Sequence, residues 1–192
     1  MISLRVKPVK LVLNGDDMGT YLKEEFYDKR LIEYNKYRES AILRLKDDFS
    51  IEISEAKYIK YKSIIDKFNK KLALFIEGSI NIEEIINIDK MSDRLALSVL
   101  FGDSHSLLDL NQRYYLNPFT VKLEPLGREF MYSSYENKDF INQSIKDIKN
   151  VNSVSNKLFS NNEFLNKFNK SISKIISQNF IQNIFKKNID EI

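Results

Sequence analysis

Residues 94–129, RLALSVLFGDSHSLLDLNQRYYLNPFTVKLEPLGRE, limit the possible folds more than any other stretch of the chain. From Ile82 to Phe101 the sequence grows apolar on all sides, the mark of one or two helices whose last turns are buried. Gly102 supplies a helix C-cap, because a left-handed backbone costs glycine nothing. NQRYYLN, the turn NPFT and VKLEPLGRE then read as a β-hairpin. A buried helix that delivers the chain straight into a hairpin must share a core with it, so the expected class is α+β.

A second hairpin signal lies earlier. Val9 to Leu13 is an apolar, partly β-branched run, and Asn14-Gly15 follows it with two residues that tolerate positive φ. Behind it, EEFYDKRLIEYNKY sets Phe26, Leu31 and Tyr34 at roughly helical spacing. AILRL at 41–45 reads as a short strand and DDFS as a turn. Ile59, Ile64, Ile65, Phe68, Leu72 and Phe75 mark an amphipathic helix over 54–76. After Met131 the chain turns helical and rich in Asn and Ser. Apolar residues from Phe164 through Phe168, Ile175, Phe180 and Ile184 to Phe185 mark a long C-terminal helix, expected to cap the core. No repeat and no dividing linker stands out, so 1–192 reads as one domain with two β-hairpins and a helical C-terminal part.

Composition narrows the chemistry. Hydrophobic residues make up 43% of the chain and charged residues 30%, enough apolar material for a core. There is no cysteine and one histidine, His105. Disulfides, thiolate metal sites, a cysteine nucleophile and a histidine-rich zinc site are therefore excluded, and any metal would take oxygen ligands, as Mg2+, Mn2+ or Ca2+ do. The net charge is +3, with acids and bases interleaved, which gives nucleic-acid binding little support. MISLRVKPVKLVLNG lacks the apolar run and cleavage site of a signal peptide, and the apolar run Leu95 to Phe101 is too short to insert into a membrane. The compartment expected is the cytoplasm or a spore coat, the latter by the resemblance given below.

The polar residues around the second hairpin are the one gathering that suggests a site. With Asn117 to Thr120 as the turn, Asn111 falls opposite Leu126 or Gly127, and Glu129 falls just beyond that open end. Asp103 and His105 leave the buried helix immediately upstream. An amide oxygen and a carboxylate flanking a hairpin can both ligate Mg2+, and an aspartate nearby can take a proton from a hydroxyl nucleophile; protein kinases use such a layout. Spacing alone favours plainer roles: Asp103 as a helix-terminal turn residue, His105 in packing, Asn111 as a turn former and Glu129 as a solvated charge.

The whole stretch resembles the core signature of the spore-coat-protein-H (CotH) kinase-like family. Gly102, His105, Asn111, Arg113, Tyr115, Asn117, Pro118, Leu123, Glu124, Pro125 and Gly127 match its pattern. In the first hairpin Asn14, Gly15, Gly19, Tyr21 and Glu25 match. INIDKMSDRLAL and KLFSNNEFLNKFNKSI extend the likeness to roughly residues 9–185. The resemblance implies an atypical kinase-like fold that transfers the γ-phosphoryl of ATP to protein Ser/Thr hydroxyls with Mg2+ or Mn2+. By position it makes Asp103 the catalytic base and Asn111 and Glu129 metal ligands. It makes Glu25 the residue that orients a phosphate-binding Lys or Arg, and gives His105 an accessory place. Asp109 has no counterpart. Two departures from the pattern stand out: Glu129 replaces the family's aspartate, and the segment before Val9 is short. They imply a partial or shortened member, and with it the alternative of a catalytically inactive pseudokinase that acts as a coat or surface scaffold. The implied partner is a coat or surface protein; the resemblance specifies no oligomeric state.

Overall fold

A computed structural model describes residues 2–108, 110–127 and 139–177. The class is α+β, with two sheets and six α-helices among the described residues. In chain order the elements are β1 (Ile2–Ser3), β2 (Val6–Leu13), β3 (Asp16–Glu24), α1 (Lys29–Tyr34), β4 (Ile42–Leu45), β5 (Ile51–Glu52) and α2 (Glu55–Ile76). They continue with α3 (Ile88–Phe101), β6 (Tyr114–Asn117), β7 (Lys122–Gly127), α4 (Phe140–Lys149), α5 (Ser153–Phe159) and α6 (Asn162–Ile176). Short 3-10 turns occupy Ile82–Glu84 and His105–Leu107.

Five strands form the main sheet in the order β1-β7-β6-β4-β5. All neighbours are antiparallel except β1 and β7, which run parallel. The alternation of side chains along a strand gives this sheet two covered faces. Leu43, Tyr114, Leu116 and Leu123 point to the larger core, shared with Ile65 and Phe68 of α2, Leu95 and Val99 of α3, and Phe164 and Phe168 of α6. Ile42, Tyr115 and Leu126 point the other way and meet Ile2 together with Leu31 and Ile32 of α1. The β4 strand expected at 41–45 and the long helix expected over 54–76 both form.

Two expected core positions turn outward. Phe26 and Tyr34 are exposed, and Leu31 with Ile32 carries the contact instead. The reason is the start of α1: Asp28 caps it by accepting from the Arg30 N–H at 2.8 Å, so Phe26 precedes the helix and takes no place on its face. Ile59 is likewise exposed on the first turns of α2.

The C-terminal helices close the larger core. Asn152 and Asn161 cap α5 and α6 by accepting from the Ser155 N–H at 2.7 Å and the Phe164 N–H at 2.8 Å. Phe159 meets Phe164 and Phe168 edge-on, with ring centroids 5.4 and 5.0 Å apart, and α6 lies along α3. Phe180, Ile184 and Phe185 lie outside the described residues. No described helix is long and apolar enough to cross a membrane.

The first hairpin, β2–β3, forms as the sequence indicates. Asn14 and Gly15 both have positive φ, 54° and 94°, as a type I′ turn requires. It belongs to neither face of the main sheet and makes its own two-stranded sheet. A bulge between Lys10 and Val12 in the register, with Gly19 at φ 85°, increases its twist.

Candidate functional site

α3 ends as its sequence prescribes. Gly102 adopts φ 64° and donates to the Val99 carbonyl at 3.2 Å, while the Asp103 N–H donates to the Ser98 carbonyl at 2.8 Å. This is the paired closure of a Schellman cap. It turns the chain sharply and points the Asp103 side chain back under the helix. Asp103 Oδ1 accepts from the Ser106 N–H at 3.1 Å, and Oδ2 accepts from the Ser106 hydroxyl. Arg94, one side of α3, reaches the same point. It lies 4.0 Å from Asp103, donates to Ser98 Oγ at 2.8 Å and donates to Ser106 Oγ. Arg94 and Asp103 are each 1% exposed. Burial pulls the Arg94 guanidinium down to about 10, against the opposing pull of the Asp103 carboxylate. The group is an interior ion pair bridged by a serine.

Asn111 and His105 form a separate pair. Asn111 Nδ2 donates to the His105 carbonyl at 3.0 Å and lies 3.2 Å from His105 Nε2. The expected pairing of Asn111 with Leu126 or Gly127 does not form. The ladder starts at Tyr114, opposite Pro125, with Leu126 N–H bonded to the Arg113 carbonyl at 2.9 Å. The cause is the hairpin loop. Asn117 pairs with Lys122, and its Oδ1 accepts from the Phe119 and Thr120 N–H groups at 2.9 and 3.3 Å. Val121 takes φ 53° to close the loop. This pairing puts each strand residue opposite a position two beyond the Leu126 register expected, and Asn111, whose N–H donates to the Leu108 carbonyl at 2.8 Å, sits in the turn before the strand. Thus the structure brings Asn111 to His105 and Asp103 to Arg94. Asp109 and Glu129 lie outside the described residues.

Glu25 is paired with Arg5. Arg5, between β1 and β2, donates through Nε to Glu25 Oε2 at 2.9 Å and through a second nitrogen to Oε1. The guanidinium also lies 3.9 Å from the centroid of the Tyr34 ring, in cation–π range. The hydrogen bond from Arg5 holds the Glu25 carboxyl below its ordinary range. The Glu25 N–H donates to the Arg5 carbonyl at 2.9 Å, so side chain and backbone together fasten the base of the first hairpin.

A further polar cluster, not foreseen as a cluster, lies on the small-core side of the sheet. Glu124 is nearly buried, forms an ion pair with Lys90 and accepts from Asn117 Nδ2 at 2.8 Å. Lys90 also donates to the Tyr37 hydroxyl at 2.8 Å, and Tyr37 packs edge-on against Tyr115 at 5.5 Å. Burial pushes the Tyr115 phenol up to about 12, with Glu124 adding to the effect. Asn117, Tyr115 and Glu124 all carry the sequence resemblance, and the signal for Lys90 was a lone lysine entering an otherwise burying helix. Lys90→Met strands a desolvated carboxylate and is expected to cost about 2–3 kcal/mol. Glu124→Gln, which removes the charge, should cost less. Urea unfolding of both variants checks this order, and equal losses would show that the pair's charge is irrelevant.

Two shallow hollows, about 260 and 200 Å³, adjoin at Tyr27, Ile42 and Lys57. Neither is lined by Asp103, His105, Asn111 or Glu25. Among the described residues no three Asp, Glu or His side chains are grouped to hold a metal ion. Of the two expected metal ligands, Asn111 is held against His105 and Glu129 lies outside the described residues. No protein-family model matches the sequence, and no curated protein matches it.

Proposed function

We propose that the chain is a CotH-type kinase-like domain that does not transfer phosphoryl groups through Asp103 and instead serves as a coat or surface scaffold. The environment of Asp103 carries this reading. A general base must come within about 2.6–3.2 Å of the hydroxyl it deprotonates, directly or through one water. Asp103 is 1% exposed and both its oxygens face Ser106 and Arg94. Its charge serves to neutralise a buried guanidinium. The residues that carry the family pattern in the second hairpin support the same reading. Tyr115 and Glu124 are buried, and Asn117 holds the loop and Glu124. These are roles in keeping a shape.

The competing reading is an active enzyme that moves the ATP γ-phosphoryl to Ser/Thr hydroxyls with Mg2+ or Mn2+. Purified protein incubated with γ-labelled ATP, either metal and a generic acceptor protein distinguishes the two. The expected result is no label in the chain or the acceptor. Labelling that disappears in Asn111→Ala, with an unchanged circular dichroism spectrum, overturns the scaffold reading. Asn111 is the better probe than Asp103, because its loss removes no buried charge partner.

A further inference from the structure

The β2–β3 arm is the least supported element of the fold. Every residue from Val6 to Glu24 is exposed except Val9, which is half-buried. An isolated two-stranded hairpin is marginal in water, because neither face buries enough apolar surface. Yet this one carries a dense set of large apolar side chains, and its two faces are not alike. The register places Lys7 opposite Lys23, Val9 opposite Tyr21, and Leu13 opposite Asp16 on one face, with Leu11 between. That face runs from two lysines at the base, through Val9, Tyr21 and Leu11, to Leu13 and a carboxylate at the tip. Leu11, Tyr21 and Leu13 on it are 37%, 47% and 55% exposed. The other face is interrupted by the Lys10–Asp17 ion pair at 2.8 Å.

We propose that the first face is the contact between two copies of this chain, packed face to face about a two-fold axis with their tips pointing in opposite directions. A two-fold contact requires a patch complementary to itself. The polarity of the arm meets that requirement. Turned end for end, the Asp16 tip of one copy lies over the Lys7 and Lys23 base of the other, twice, and the apolar middles coincide. The distance from Lys7 to Leu13 is about 20 Å at roughly 3.3 Å per residue, which sets the length of the contact. Stacking is favoured over joining edges. Pro8 withholds a donor from the β2 edge, and the bulge near Gly19 twists the β3 edge, both features that resist strand addition. One arm face is smaller than the roughly 800 Å² per partner of a standard interface, which places the contact among the small, reversible ones. The inference rests on the arm alone and holds whether or not the chain phosphorylates anything.

Charge exchange tests it on the full chain. Sedimentation from about 5 to 200 μM should show wild type passing from monomer to dimer, less so at high salt. Asp16→Lys alone, and Lys7→Glu with Lys23→Glu, should each raise the dissociation constant at least about tenfold. An equimolar mixture of the two variants restores both tip-to-base contacts and should dimerise. Leu22→Ser, on the opposite face, should leave dimerisation unchanged. A wild type that stays monomeric throughout overturns the proposal, including the case in which it binds anionic vesicles instead. Dimers indifferent to the charge changes, dimers lost in Leu22→Ser, or a mixture that stays monomeric overturn it equally. The substitutions lie outside both cores, and circular dichroism confirms that each variant is folded.

Discussion

Asp103→Ala is expected to lower the unfolding free energy by about 3–5 kcal/mol, because it leaves a buried guanidinium without its carboxylate. Arg94 would keep Ser98 and Ser106, but hydroxyl dipoles replace a full charge poorly in a site this dry. The paired variant Arg94→Met with Asp103→Leu should recover most of the loss, since apolar substitution of a whole buried pair is often neutral. Urea unfolding of the two variants is the measurement. A single variant within about 0.5 kcal/mol of wild type, as for an ordinary surface position, would mean that Asp103 is exposed in solution and would reopen its candidacy as a base.

Ending the chain after Asn150 is expected to abolish the native fold. The cut removes Val154, Leu158, Phe159, Phe164, Phe168 and Ile175, all buried in the larger core. Full burial of one such side chain is worth about 1.5–3 kcal/mol. Five or six together match or exceed the roughly 5–15 kcal/mol that holds a typical domain folded. The cut also uncovers α3, which α6 flanks, and breaks the Ser171–Asp93 hydrogen bond at 2.7 Å. The truncated chain should show collapsed amide dispersion by NMR and a loss of near-ultraviolet circular dichroism. A soluble remainder with native dispersion would show the helices to be an appendage.

What the sequence made legible was mostly local. Asn14-Gly15 and Gly102 announced their turns, because positive φ is a property of those residues and their immediate neighbours. The α2 and α6 stripes announced their faces through periodicity, and Phe68, Phe164 and Phe168 are buried as the pattern requires. What stayed hidden depended on the third dimension or on a few degrees of backbone. The Arg94–Ser106–Asp103 group joins two elements through a cap, and the only cue was an arginine beside an apolar run. The place of Asn111 turned on a hairpin pairing displaced from the expected one, and such a slip moves every residue of a strand. Glu25 was singled out by position, but its partner Arg5 lies on the far side of an entire hairpin.

The two-residue strand β1 sets a schedule for making this protein. Ile2 and Ser3 pair in parallel with Leu126 and Gly127 and complete the small core over α1. During synthesis at about 5–20 residues per second, roughly 6–25 seconds pass between the emergence of β1 and that of the strand it must join. Throughout that interval the apolar side of β1 has no sheet to lie on, while the arm beside it closes through local contacts in microseconds. The finished edge of the main sheet is therefore a late event in the life of each molecule. Until then Ile2 waits for Leu126, its partner in the small core.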